Sequence, residues 1–98
     1  MIRVVYHWKV RVGEESSFAV AWERATTAIR SNTRGARGSV LLQSRENRAE
    51  FVTIARWEKL EDWQAFWQDT RPTSMQPMHL LAELLSTQAF DEIQDHTV

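Results

Sequence analysis

The sequence predicts an α+β domain with its elements in the order β-α-β-β-α-(α)-β. Three observations carry that expectation. The chain opens on a run of period two, two later stretches show apolar stripes at helical spacing, and two strand-like runs near the middle are joined by a short polar turn.

In the first run, Ile2, Val4, Tyr6, Trp8, Val10 and Val12 share one parity. Arg3, His7, Lys9 and Arg11 share the other, with Val5 as the exception, so 2–12 reads as a half-buried strand. Gly13-Glu14-Glu15 opens a helix, with acidic side chains where the helix dipole favours them. Phe18, Ala21, Trp22, Ala25 and Ile29 form its apolar stripe, and 31–35 reads as a loop. Strands are predicted over 38–45 and 50–58, with Arg45-Glu46-Asn47-Arg48 as the hairpin turn.

Leu60, Trp63, Phe66 and Trp67 then lie on one face of a second helix. Arg71-Pro72-Thr73 breaks it, because proline disfavours helical geometry in the residue before it. Pro77 suits the start of a third, shorter helix with Met78, Leu81, Leu84 and Leu85 on its apolar side. The last strand is predicted over 87–95, centred on Phe90 and Ile93. The segment from Arg71 to Gln76, with Pro72 between two helices, is expected to be more mobile than the sheet.

This order is the split β-α-β arrangement of a ferredoxin-like domain: a four-stranded antiparallel sheet, here a single domain over 1–98, with its helices on one face. A chain of 98 residues buries only a modest core. Val5 and the stems of Lys9 and Arg11 suggest that the other face is covered by a second sheet, so a homodimer is expected.

Composition narrows the function classes. The 12 basic and 13 acidic residues are interspersed at a net charge of −1, with no basic stripe for nucleic acid. There is no cysteine, hence no thiol or disulfide chemistry. Arg3, His7 and Lys9 interrupt the first apolar run, no signal-peptide pattern is read, and no run approaches the roughly 20 residues of a membrane helix. A cytoplasmic protein is expected. With three glycines there is no phosphate loop or dinucleotide fingerprint, so neither a nicotinamide nor a tightly held flavin is supported. His79 and Glu83 stand one helical turn apart, but two ligands are too few for a metal site. No cofactor is expected.

Three features resemble the antibiotic biosynthesis monooxygenase (ABM) family. The first strand runs into Gly13-Glu14-Glu15 with Phe18 following. The stretch GSVLLQSRENRAEFVTIARWEKLEDWQAF is similar to that family's central hairpin, whose second strand ends in a tryptophan and steps into the second helix. A late amphipathic helix and a C-terminal strand complete the order. The resemblance implies a dimeric α/β barrel. The family includes cofactor-free oxygenases of phenols and quinols, enzymes that degrade heme, and members without known activity, so fold alone assigns no chemistry.

By that resemblance the pocket lies between sheet and helices. Its walls would be Trp8, Trp22, Trp63 and Phe66, with Tyr6 and Trp67 as hydrogen-bond donors. His79, whose side-chain type titrates near neutral pH, would transfer the proton, and the ligand would be a small aromatic molecule. The plainer reading of the same rings is core packing, with Trp57 purely structural and His79 merely packed. His7 would meet the partner subunit, and His96 would fray.

Two alternatives stay open. One is a non-catalytic dimeric ligand-binding or stress-related module. The other is a heme-binding or heme-degrading protein. That branch places an asparagine on the first strand, a tryptophan on the second helix and a heme-ligating histidine soon after. Anchored on Gly13 and Trp57, Tyr6 stands at the asparagine position, Phe66 at the tryptophan position with Trp67 one residue late, and Gln76 at the histidine position with His79 three residues late; a short insertion at Arg71-Pro72-Thr73 would restore His79 but not the asparagine.

Overall fold

Alternation at the start of the chain produces β1, Ile2–Val10, whose inward residues Ile2, Val4, Tyr6, Trp8 and Val10 are all buried. The computed structural model describes residues 1–68 and 72–98. Helix α1 follows as Glu15–Asn32, burying Phe18, Ala21 and Ala25. The two alanines let the helix axis approach the sheet closely. It runs through Asn32 rather than ending before the predicted loop: Thr33 N–H donates to the Ile29 carbonyl at 2.9 Å, and the Asn32 side-chain Nδ2 donates to the Ala28 carbonyl at 3.0 Å.

Strand β2, Ala36–Gln43, starts two residues before the predicted 38–45, and β3 is Glu50–Trp57. Helix α2, Leu60–Trp67, is followed by a 3-10 turn at Thr73–Met75, helix α3 at Gln76–Leu81 and strand β4 at Ala82–Asp91. The sheet is antiparallel in the order β2-β3-β1-β4, so the most apolar strand is central and paired on both sides. The expected α+β, ferredoxin-like order is the observed one.

The third helix is shorter and the last strand earlier than the sequence predicts. Leu84 and Leu85 belong to β4, not α3, and the strand spans 82–91 rather than 87–95. Ile93 lies beyond it and is exposed. Met78, Leu81, Leu84 and Leu85 fit a helical period, but a strand fits equally well once one residue is skipped. Register shifts between His7/Trp8, where Trp8 pairs with Leu84 and His7 with Ser86, leaving Leu85 as the bulged residue. Pairing with β1 decides the ambiguity, because it satisfies the backbone of both strands at once. Of the predicted helix-breaking stretch, Arg71 lies outside the described residues. Pro72 precedes the 3-10 turn, whose Met75 is buried.

A second bulge lies in β2. Ala36 pairs with Trp57 but Ser39 with Ala55, so one extra residue is accommodated around Arg37 and Gly38, where Gly38 has φ +95°. Gly35, at φ +83°, anchors α2 to the sheet. Its carbonyl accepts from Glu58 N–H at 2.9 Å, and a Cβ built there would lie 2.3 Å from an Asp62 carboxylate oxygen. The helices cover one sheet face. The other presents Val5, Val40, Leu42, Val52, Ile54 and Phe90 among the polar Arg3, His7 and Lys9; Val40, Leu42 and Phe90 are about half exposed.

Candidate functional site

Small side chains create the site. Ala25 on α1, Ala36 and Gly38 on β2, and Ala55 on β3 face one another between helix and sheet, and the space they leave is a cavity walled by larger residues. Trp22, Thr26 and Ile29 come from α1, Tyr6 from β1, Thr53 and Trp57 from β3, Phe66 from α2, and Met75 and Met78 from the segment before β4. Atom-free space amounts to about 470 Å³ counted out to the open mouth, whereas only about 40 Å³ admits the centre of a water-sized sphere. The enclosed interior is therefore small, and a guest larger than a few waters needs its walls to shift. Two methionines in its wall supply side chains that repack readily around a guest. Arg30, exposed on the last turn of α1, and Ser39 on β2 also line it.

Among the seven residues singled out from the sequence, Tyr6, Trp22 and Phe66 line this cavity. Trp8 is fully buried beneath it, in ring contact with Phe18 at 5.4 Å, His79 at 5.3 Å and Tyr6 at 6.3 Å. Trp63 and Trp67 stack on each other at 6.1 Å and form a shelf beside Tyr6, whose ring centroid is 5.4 Å from that of Trp67. Phe66 turns the other way, onto Trp57 at 5.3 Å, so adjacent positions on α2 serve two different neighbours. His79 follows the lining Met78 directly, and both its ring nitrogens are buried, but its ring packs on Trp8 and is not part of the wall.

Thr26, Arg30, Ser39 and Arg56 contribute polar groups to the lining, and two further hydroxyls, those of Tyr6 and Thr53, are buried in it. Trp63 Nε1–H donates to the Tyr6 hydroxyl oxygen at 3.1 Å, and Trp8 Nε1–H donates to Thr53 Oγ1 at 3.1 Å. Tyr6 and Thr53 are register partners on β1 and β3, and both are buried. Burial pushes the Tyr6 phenol up to about 12, with the Trp63 hydrogen bond opposing the shift only in part. Tyr6 is therefore a neutral donor throughout the physiological range. Thr53 and Trp57 are among the lining residues that sequence reading missed, because nothing local distinguishes a cavity wall from a packed core.

Among the described residues no group of three or more His, Asp or Glu side chains could hold a metal ion. No helix among them is long and apolar enough to cross a membrane.

The family model for antibiotic biosynthesis monooxygenase matches residues 1–72. No curated protein matches the chain. Similar solved structures include SnoaB, a cofactor-independent oxygenase from Streptomyces nogalater, at 20% identity and TM-score 0.77, covering 97% of this chain and 95% of that one. A candidate antibiotic biosynthesis monooxygenase from Bordetella bronchiseptica is 17% identical at TM-score 0.75, covering 95% of this chain and 97% of that one. Another from Deinococcus radiodurans is 12% identical at TM-score 0.76, covering 100% and 98%. At such identities the structural likeness speaks to fold alone.

Proposed function

The chain belongs to the antibiotic biosynthesis monooxygenase family, and from that premise we propose that it is a cofactor-independent monooxygenase of a small phenol- or quinol-type aromatic. The observation that carries the reading is the narrow cavity of indole, phenyl and thioether walls with a buried, neutral tyrosine hydroxyl in it. A flat ring stacks against such walls, and a hydroxyl donor there meets the oxygen on which negative charge develops.

In the proposed chemistry the substrate is its own reductant. Loss of a hydroxyl proton raises the electron density of the ring, which then passes electrons to dioxygen. For a hydroquinone the balance is hydroquinone plus dioxygen giving hydroxyquinone plus water. One oxygen atom is inserted, the other leaves as water, and all four electrons come from the ring. The chain's residues bind the ring, exclude water and hold the anionic oxygen. Tyr6 donates to that oxygen. Trp22 and Phe66 flank the ring directly, while Trp8, Trp63 and Trp67 back the wall and hold Tyr6 in place. His79, next to the lining Met78, is the proposed proton acceptor, because imidazole is the side chain suited to that transfer near neutral pH.

A second reading has one observation in its favour. Among the described residues the cavity wall holds no carboxylate and no imidazole, which suits a module that binds an aromatic without turning it over. The heme alternative fits less well. Tyr6 stands at the asparagine position, and Gln76, at the histidine position, is exposed and outside the wall.

We further propose that two copies pair through the sheet face opposite the helices, as the resemblance implies. Half-exposed Val40, Leu42 and Phe90, with Val5, Val52 and Ile54, make that face too apolar for water alone.

The deciding experiment is oxygen uptake by metal-stripped protein with a naphthohydroquinone or a related phenol. Hydroxylated product in step with oxygen consumed supports the monooxygenase. Tight binding without uptake across a panel of phenols and quinols would leave the binding module as the better reading.

A further inference from the structure

A hydroxyl group has one proton to give and lone pairs to receive. Indole N–H can only donate. In this cavity each of the two buried hydroxyls receives an indole N–H: Thr53 from Trp8 and Tyr6 from Trp63, both at 3.1 Å. Each oxygen is thereby committed as an acceptor toward the protein, and its own proton is turned elsewhere. Among the described residues neither hydroxyl donates to a protein acceptor. Both residues line the cavity.

The two donors sit at different depths. Thr53 carries its hydroxyl on the Cβ, at the surface of the sheet. Tyr6 starts from the neighbouring register position but carries its hydroxyl at the far end of the ring, high enough to meet Trp63 on α2. One donor is thus at the floor of the cavity and the other a ring's length higher, at the level of the helices.

We propose that Thr53 is a specificity-determining hydrogen-bond donor, held in donor orientation by Trp8, which selects rings carrying an acceptor oxygen on the edge that faces the sheet. With Tyr6 serving the opposite edge, the pair favours a ring with oxygens at both ends over a ring with one or none. Trp8 and Trp63 are positioning residues: they touch no ligand but fix where the two protons point. This assignment rests on the aromatic-ligand reading above and is independent of whether turnover follows.

The test uses 1,4-naphthoquinone, which has an acceptor oxygen at each end and cannot be oxidised in the assay. The chain has no cysteine to add to its ring. Isotope-edited infrared spectra of the bound quinone are expected to show both carbonyl bands lowered by hydrogen bonding. Y6F should restore one band to its unbonded position and leave the other lowered. By affinity, Y6F and T53V should each weaken naphthoquinone by roughly 5–10-fold, the usual cost of one neutral hydrogen bond. Naphthalene, with the same outline and no oxygen, should bind all three proteins equally, and T53S should behave as wild type.

A single lowered carbonyl band in the wild type, abolished by Y6F, would overturn the Thr53 assignment even if T53V proved too unstable to study. So would equal losses for naphthoquinone and naphthalene, or no preference of the wild type for the quinone. If both bands are lowered yet no quinol is oxidised, Thr53 stands and the oxygenase reading falls. If quinols are oxidised and T53V oxidises them unchanged, the reverse holds.

Discussion

Tyr6 is the residue on which most of the site's chemistry turns. It is the chain's one tyrosine, so a near-ultraviolet titration reports it without interference from any other phenol. Burial raises its pKa from 10.0 to about 12. The neutral form is therefore favoured by folding, and that stability is fully present below pH 10.0. As pH rises from 10.0 to about 12, the unfolded chain ionises while the folded chain does not, and stability falls. A two-unit shift corresponds to a loss on the order of 3 kcal/mol. We expect the folded protein to show no tyrosinate absorbance at pH 10.0, and unfolding by urea at that pH to release it. Half-ionisation at pH 10.0 in the folded state would mean that water reaches the hydroxyl. His79 gives a second prediction at this scale. If it accepts the substrate proton, H79A should lower oxidation of the test quinol by ~10²-fold while the circular dichroism spectrum is retained. Normal turnover by H79A would confine His79 to its packing role on Trp8.

Among the elements, α2 depends most on its neighbours. It has eight residues, none of them fully buried, and no side-chain N-cap. A helix so short does not persist alone in water. Its half-buried rings rest on Trp57 and Tyr6, and its first turn is held against Gly35. Gly35 is needed there for two reasons. Its φ of +83° disfavours any L side chain, and an added Cβ would meet Asp62. G35A should destabilise the fold by about 1–3 kcal/mol in urea titrations and displace the start of α2. Because α2 carries Trp63 and Phe66, the same change should weaken binding of aromatic ligands. A G35A protein with unaltered stability and ligand affinity would show that α2 is anchored elsewhere. The β2 bulge matters in a different way, bringing Gly38 and Ser39 to the cavity rim.

The whole molecule has two faces of unequal character. One carries the helices and the cavity, and the other is a bare sheet with apolar centres on three neighbouring strands. Ile54 on β3 pairs with Val5 on one side and Val40 on the other, at the middle of that face. We expect light scattering to give a dimer at micromolar concentration. I54D, which places a charge at the centre of the pairing surface, should shift it to monomer without unfolding the subunit. A wild-type monomer at that concentration would sink the pairing proposal. An I54D protein that is still dimeric would move the interface to another surface.

The order of elements was legible because it rests on local patterns. The alternation of Ile2 to Val10, interrupted only by Val5, the stripe from Phe18 to Ile29 and the cluster from Leu60 to Trp67 each admit one periodicity, and the burial of β1 and α1 follows from them. The end of α3 was not legible. Met78, Leu81, Leu84 and Leu85 satisfy two periods, and only pairing with the central strand, through a bulge at Leu85, selects the extended form. Tyr6, Trp22 and Phe66 could be nominated as site residues because large rings on an inward face are visible in a string of letters. Thr53 and Trp57 could not be. Their environment is made by Ala25, Ala36, Gly38 and Ala55, which come from three separate elements and matter for what they leave empty. Periodicity determines which way a side chain points, a property of its own segment. Whether it points at another atom or at a space is decided by the sizes of residues distant in sequence, and that is known only once the helices lie on the sheet.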